Sequence, residues 1–578
     1  MDTQAKTKVE EKRKTKIRVS GAEAIVRSLL EEGTDLMFGY IGGAIMPIYD
    51  VLYSYQDRLQ HVMVRHEQGA MHAAQAYARI SKKPGVCMST SGPGATNLIT
   101  GLADAMLDST PMVCITGQVG SGLLGSDAFQ ETDVVGVSMP VTKWNFQITK
   151  AEEIPEAVAK AFFIARSGRP GPVLLDITKD AQFAELDYSY EKITQIRSYI
   201  PYPKLNLNAV SQAAEIINAA KKPFVLVGQG VLLSGAQKEF KEFVEKAEIP
   251  VGSTLLGLSA FPSNHSLFTG MLGMHGNYAP NINTNECDVL IAIGMRFDDR
   301  VTGNLKTYAT QAKIIHIDLD NAEIDKNVKT DVAIVADAKQ ALQSLIPLVN
   351  SNTHKEWIES FSELRKVEIE KVINKDCNPT SGAIKMGEVI NKLSEKTNGE
   401  AIIVTDVGQH QMASARYYQF NKTQSLVTSG GLGTMGFGLP ASVGAQIAAG
   451  DKRDVYAFIG DGGFQMTIQE LGTISQLNLN VKIILLNNNF LGMVRQWQDM
   501  FNEKRYAYTE LTNPDFITIA KGFGIEGKTI SNREDIDKTL NDLITHKGPF
   551  LLEVKVEKEA NVFPMVPAGG TVSEMILE

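Results

Sequence analysis

Two short polar clusters stand where two apolar runs end, and their residue types are suited to holding a metal and an anion. Residues 455–459 run into Gly460-Asp461-Gly462-Gly463, and residues 481–486 run into Asn487-Asn488. Short apolar runs bounded by turn signals read as buried strands, and residues 463–486 suffice for one crossover helix, so the segment predicts a βαβ unit. Its strands run parallel, which brings Asp461 and Asn488 to the carboxyl ends of neighbours, where open α/β sheets take ligands. A carboxylate and an amide carbonyl are hard oxygen donors that suit Mg²⁺, which usually completes its shell with phosphate oxygens and water. The glycines let a diphosphate approach free N–H groups at a helix start. For GDG alone a tight turn with a solvated Asp is the alternative; GDG, the spacing and NN together favour a metal-bridged diphosphate.

A second acid stands far from these. Glu67, in RHEQGAMHAAQAYARI, is expected just after a strand and ahead of an Ala-rich helix. One reading is a helix N-terminal carboxylate favoured by the macrodipole. The other is a proton-exchanging group, since Ala/Met-rich surroundings would strip water from the carboxyl.

These residues need scaffolds. Residues 17–186 alternate a helix at 22–32 with strands near 36–38, 61–65, 85–89, 112–116 and 173–177, which implies a doubly wound parallel sheet. Residues 187–206, with SYIPYPKLN, read as linker. A second α/β unit spans 207–350. There KPFVLVGQGV ends in Gly228-Gln229-Gly230, a weak dinucleotide signal alone, and VLIAIGMRFDDRVTG delivers Gly294, Arg296, Asp298 and Arg300 into a loop. KIIHIDLD reaches Asp318, where an acid can hold a ribose hydroxyl, and GMLGMHGNYAP adds Gly273, Met274 and His275 as a close-approach loop. Residues 351–379 form a charged helical connector with a solvated face, and 380–557 a third α/β unit. The Pro/Gly-containing tail 558–578 suits a mobile lid. The fold class is α/β, with three doubly wound parallel-sheet domains.

With 578 residues and 43% hydrophobic content, two to four domains are expected. A net charge of −9 argues against a nucleic-acid partner. No apolar run approaches the ~18 residues a membrane span needs. Residues 1–16 carry both signs of charge without an apolar core, so they read as a disordered tail rather than a targeting segment, and the chain as cytoplasmic. Cys87, Cys114, Cys287 and Cys377 lack metal or redox spacing and read as buried free thiols in a reducing compartment.

GDG, a helix, then NN resembles the cofactor motif of the thiamine-diphosphate enzymes. NNNFLGMVRQWQDMF is similar to one branch, the acetohydroxyacid synthase (acetolactate synthase) catalytic subunits of the biosynthetic, FAD-containing type. The likeness runs from about 17 to 570. It implies Mg²⁺ at Asp461, Asn488 and Phe490. It implies thiamine diphosphate at Pro93, Asn97, Val407, Gly408, Gln409, His410, Gly433, Met435, Gly460, Asp461, Gly462, Gly463, Asn488, Leu491, Gly492 and Met493, with Met435 wedging the cofactor into its bent form. FAD is implied at Arg169, Gly228, Gly230, Thr254, Leu255, Leu272, Gly273, Met274, His275, Gly294, Arg296, Asp298, Arg300, Val301, Asp318, Asp337, Ala338, Gln411 and Met412. The catalytic positions implied are Glu67 as proton relay, Gly43 as an oxyanion donor, Phe129, Gln130, Lys179, Met493, and Trp497 shaping the acceptor pocket. A core aromatic is the alternative for Phe129, a surface charge for Lys179, a core residue for Met435, and a flavin-free central unit for the FAD set. The sequence departs from the family at Ile41 and Thr178, where Pro is usual, and at Ala413, where Trp is common.

The implied reaction is decarboxylation of pyruvate and ligation of its two-carbon unit to a second pyruvate or to 2-oxobutanoate. The family shares each active site between the first domain of one subunit and the third of another, which implies a homodimer or homotetramer, and it pairs with a separate small regulatory subunit. An FAD-using pyruvate oxidase and a flavin-free catabolic acetolactate synthase are the alternatives within the class. Outside it stands a non-catalytic cofactor-binding subunit, against which Glu67, Asp461 and Asn488 speak.

Overall fold

Three six-stranded sheets, parallel at every pairing, organise the chain in a computed structural model that describes residues 17–578. The charged segment 1–16, read above as a disordered tail, lies outside the described residues. Strands such as Met112–Gln118, Val455–Gly460 and Val481–Asn487 are buried along their whole length. Continuous apolar runs of this kind need helices on both faces of the sheet.

In the first sheet the strands are Leu36–Gly39, Gln60–Met63, Gly85–Ser89, Met112–Gln118, Trp144–Ile148 and Pro172–Thr178. Ranked by sequence, they lie in the order second, first, third, fourth, sixth, fifth. The last sheet, from Ile402–Thr405 to Phe550–Lys555, repeats that order. The middle sheet, from Pro223–Val227 to Val332–Val335, runs third, second, first, fourth, fifth, sixth, the arrangement of dinucleotide-binding folds.

The first and last units are therefore topological copies, and they meet through equivalent helices, Glu67–Ser81 against Gly438–Ala449. A Cβ on Gly444 would lie 1.8 Å from the Ala73 carbonyl oxygen, so the two helices touch backbone to backbone. Ala73, Ala74, Phe437 and Val443 belong to one hydrophobic cluster that runs through both units.

Several local expectations change. The strand placed at 61–65 stops at Met63, because the Arg65 N–H leaves the ladder and donates to the Glu470 carboxylate at 3.0 Å. The crossover after Asp461 is not one helix but Asp461–Met466, a 3₁₀ turn Ile468–Glu470 and Leu471–Gln476. Thr467 breaks it by donating its hydroxyl to the Gly436 carbonyl at 3.0 Å. Trp144–Ile148 was not expected as a strand; only Ile148 of its five residues is buried, which weakens the apolar signal. The connector is less solvated than its charge run suggests, for Trp357, Phe361 and Val372 are buried and Glu368 pairs with Arg416. All four cysteines are buried and free. Among the described residues no helix is long and apolar enough to cross a membrane.

Candidate active site

In the last unit the strand register sets Gly460 beside Leu486. Asp461 and Asn488 thus leave adjacent parallel strands at the same edge, both almost fully buried. Burial pushes the Asp461 carboxyl up to about 6, opposed by the amide of Asn513, which donates to it at 2.7 Å. The same Asn513 nitrogen donates to Asn487 at 2.9 Å, so one side chain ties both strand ends together. Asn488 donates to Gln409 at 3.3 Å and accepts the Phe490 N–H at 3.2 Å.

Around this pair the glycines let neighbouring side chains pack directly on the backbone. A Cβ on Gly462 would lie 2.7 Å from the Leu491 side chain and 3.5 Å from the end of Met435. A Cβ on Gly460 would meet the His410 ring at 2.8 Å, and one on Gly463 the Asp406 carboxylate at 2.2 Å. Burial drives His410 down to about 3, and its Nε2 is buried without a hydrogen-bond partner. An unpartnered ring nitrogen beside Asp461 fits an added polar ligand, since buried polar groups are otherwise satisfied.

The middle unit turns its carboxyl edge to the same space. The order of strand addition reverses between the adjacent parallel strands Pro223–Val227 and Val289–Ile293, and there the Gly230 N–H donates to the Gly294 carbonyl at 2.9 Å. A Cβ on Gly230 would sit 2.6 Å from the Gly294 Cα, so this crossing excludes side chains. Asp318 ends its strand and burial lifts it to about 6; Asp298 and Asp337 cap the helices that follow them. His275, driven down to about 4 by burial, also has an unpartnered Nδ1.

A single cavity of about 860 Å³ is lined by both sets. From the last unit come Val407, Gly408, Gln409, His410, Gln411, Met412, Gly433, Met435, Gly460, Asp461, Gly462, Gly463, Asn488, Phe490, Leu491, Gly492, Met493 and Trp497. From the middle unit come Gly230, Thr254, Leu255, Leu272, Met274, His275, Gly294, Arg296, Asp298, Arg300, Val301, Asp318, Asp337 and Ala338. Arg169 reaches it from the first unit, already bound to Asp320 and Glu323. Gly228 and Gly273 do not line it; they pack against Met295 and the Arg300 carbonyl.

The remaining first-unit residues gather elsewhere, at the carboxyl edge of their own sheet. Glu67 begins its helix, His66 caps that helix by accepting the Gln68 N–H, and Asn97 donates to Glu67 at 2.9 Å. Gly94, one residue past Pro93, sits against Thr90 and Glu67; Gly42, next to Gly43, also meets Thr90. Gly92, at φ +55°, packs on the Gln130 backbone. Phe129 is 88% exposed, which removes the core-aromatic alternative. Lys179 is exposed at the end of Pro172–Thr178, and Asp180 beside it binds Ser121, anchoring the loop toward Gln130. None of Gly43, Glu67, Pro93, Asn97, Phe129, Gln130 and Lys179 lines the cavity.

Comparison with known proteins matches each of the three units in turn. Residues 19–137 match the N-terminal TPP binding domain of thiamine pyrophosphate enzymes, 210–345 their central domain and 406–554 their C-terminal TPP binding domain. The acetolactate synthase large subunit of Corynebacterium glutamicum is 45% identical over 575 residues, covering 96% of this chain and 90% of that one. The isozyme 2 large subunit of Escherichia coli is 44% identical over 559 residues, with 96% and 99% covered. A probable acetolactate synthase large subunit of Methanocaldococcus jannaschii is 44% identical over 567 residues, with 96% and 95% covered. The chain belongs to the acetolactate synthase large-subunit family of thiamine pyrophosphate enzymes.

Against the family pattern the three departures fall differently. Ile41 is exposed at the mouth of the first-unit edge, Thr178 is buried with its hydroxyl unpartnered, and Ala413 packs in the core of the last unit. Asn513 escaped the sequence reading, because nothing local in LTNPDF reports that its amide lies behind Asp461. The tail 558–578 is held down: Gln409 and Arg495 both donate to the Ala560 carbonyl, and the Val566 N–H donates to Met274 at 2.8 Å.

Proposed function

We propose that this acetolactate synthase family member decarboxylates pyruvate and ligates the two-carbon unit to a second pyruvate or to 2-oxobutanoate. The products are 2-acetolactate and 2-aceto-2-hydroxybutanoate, precursors of the branched-chain amino acids. The observation that carries this reading is the side-by-side exit of Asp461 and Asn488 into a cavity shared with the dinucleotide-type edge.

Bound thiamine diphosphate supplies a carbon nucleophile and an electron sink. Asp461, Asn488 and the Phe490 carbonyl would hold Mg²⁺, which their hard oxygens suit. Gly433, Met435 and Leu491 would shape the cofactor, and the unpartnered His410 nitrogen would offer it a hydrogen bond. Glu67, held by Asn97, would exchange a proton with the bound cofactor. Gly43 offers a backbone N–H, and Phe129, Gln130, Lys179 and Met493 surround substrate. Trp497 walls the acceptor, with discrimination of about 1–3 kcal/mol for one methylene. Gly230, Gly294, Arg296 and Asp318 would hold FAD.

Separation of the Glu67 edge from the cavity supports a homodimer or homotetramer in which a second copy completes each site. The large-subunit names of the relatives support a separate small regulatory subunit, and four buried thiols suit a cytoplasmic setting.

The test is an assay of purified protein with both 2-oxo acids, omitting thiamine diphosphate, Mg²⁺ or FAD in turn. Acetohydroxy acids formed only with thiamine diphosphate and Mg²⁺, without stoichiometric O₂ uptake, are expected. Stoichiometric O₂ consumption, or product without thiamine diphosphate, would overturn the reading.

A further inference from the structure

The loop that carries Gly433 and Met435 is glycine-rich, SGGLGTMG, and glycines give a loop little stiffness of its own. Its far end is tied within its own unit, where the Asp406 carboxylate accepts the N–H groups of Gly436 at 3.0 Å and Gly438 at 2.8 Å. Its near end hangs from a different unit. The helix Ile99–Leu107 of the first sheet presents Asp104, and the residue that caps it is Asp108, one turn later.

Asp108 uses both oxygens on this loop, accepting the Gly431 N–H at 2.6 Å and the Gly430 N–H at 2.9 Å. Asp104 accepts the Ser429 hydroxyl at 2.5 Å, and the Ser429 oxygen in turn accepts the Thr434 N–H at 2.8 Å. Arg79 completes the frame: it donates to Asp108 at 2.8 Å and to the Thr428 carbonyl at 2.6 Å. Asp104 and Asp108 are fully buried, and Ser429 nearly so. Hydrogen bonds to a carboxylate are among the strong ones, and three consecutive loop residues, Ser429 to Gly431, are held this way.

We propose that Asp108, assisted by Asp104, is a positioning residue for thiamine diphosphate: the first unit sets the height of the loop Ser429–Gly436 so that Gly433 and Met435 stand ready beside Gly462. The inference rests on the reading that this loop holds the cofactor. It assigns to the first unit of the same chain a part in building the diphosphate half-site, separate from the Glu67 edge. Nothing in Asp104 or Asp108 touches the cavity's metal pair; they act through the loop backbone.

The experiment measures dissociation constants for thiamine diphosphate with Mg²⁺, and for FAD, in wild type, Asp108→Asn and Ser429→Ala. An amide at 108 offers one acceptor where the loop and Arg79 need two. Asp108→Asn is expected to weaken thiamine diphosphate by about tenfold to a hundredfold, the scale of charged hydrogen bonds, and FAD by several-fold less, since of the FAD wall only Gln411 and Arg296 meet this loop and the rest belongs mostly to the middle unit. Turnover at saturating thiamine diphosphate should recover to within about threefold of wild type, which separates binding from chemistry. Ser429→Ala, which leaves Asp108 and Arg79 paired and keeps the fold, should weaken thiamine diphosphate by about threefold to tenfold. Affinity within about twofold of wild type in both variants, or parallel losses for the two cofactors, would overturn the proposal. Wild-type protein that binds no thiamine diphosphate would instead remove the cofactor reading itself, a result distinct from a variant that binds as wild type does.

Discussion

Asn513 donates its side-chain amide to Asp461 at 2.7 Å from a position 52 residues further along the chain. Gln465 donates to the Asn513 oxygen at 2.9 Å and so fixes which way the amide faces. A ligating carboxylate is aimed by the group behind it. Asn513→Ala should therefore weaken Mg²⁺ by about tenfold to a hundredfold while leaving FAD bound. Titrating activity with Mg²⁺ at saturating thiamine diphosphate measures it; an unchanged midpoint would deny Asn513 that role.

Arg416 and Glu368 form an ion pair at 2.6 Å with both side chains out of water. Glu368 also accepts from Asn277 and Tyr278, and Arg416 donates to the Gly276 carbonyl, so the pair joins the connector, the last unit and the loop bearing His275. Removing one partner strands the other charge. Arg416→Met should cost about 3–5 kcal/mol in urea unfolding and loosen FAD as well. A loss below about 1 kcal/mol would mean that water reaches Glu368.

Burial, reinforced by Asp108, holds the Asp104 carboxyl up from 3.8 to about 7, against Arg79. His72 lies 3.8 Å away but burial keeps it neutral down to about 3. Between these values the folded chain binds a proton that the unfolded chain releases, so this group's contribution is present at low pH and lost as pH rises from about 4 to about 7. The melting temperature of Asp104→Asn minus that of wild type should accordingly grow across that window and level off above it. A difference that stays flat with pH would show Asp104 to be ionised throughout.

Trp497 lies on the helix Gly492–Phe501, its ring tilted 38° against that of Phe501 at 5.0 Å between centroids, and it lines the cavity. Trp497→Leu should enlarge the acceptor space and reduce preference for 2-oxobutanoate over pyruvate by about tenfold or more. Competition between the two acceptors reads this directly. An unaltered product ratio would move the specificity wall elsewhere.

What the sequence disclosed depended on how local each signal was. Asp461 and Asn488 each end an apolar run, so strand, turn and ligand edge could be read together, and the register of Gly460 beside Leu486 agrees. Glycines at 228, 230 and 294, a weak dinucleotide signal in the sequence, lie where the strand order of the middle sheet reverses. Contacts between distant segments left no such trace. Asn513, Asp108 and Arg416 sit in stretches that read as ordinary cap, helix and surface residues, and their partners lie far off in sequence. Phe129 misled in the opposite direction, since an aromatic is more often buried than left 88% exposed. The break at Thr467 was hidden because its cause, the Gly436 carbonyl, lies on another loop.

The central claim is that Glu67 of one copy and the Asp461–Asn488 pair of another act on the same cofactor. Its most direct test is co-expression of Glu67→Gln chains with Asp461→Asn chains under two affinity tags, followed by isolation of mixed oligomers. Each parent alone should be inactive. Isolated mixed dimers should regain about half of wild-type turnover, because one of the two sites in each holds both groups intact. Mixed oligomers as inactive as their parents would contradict the account.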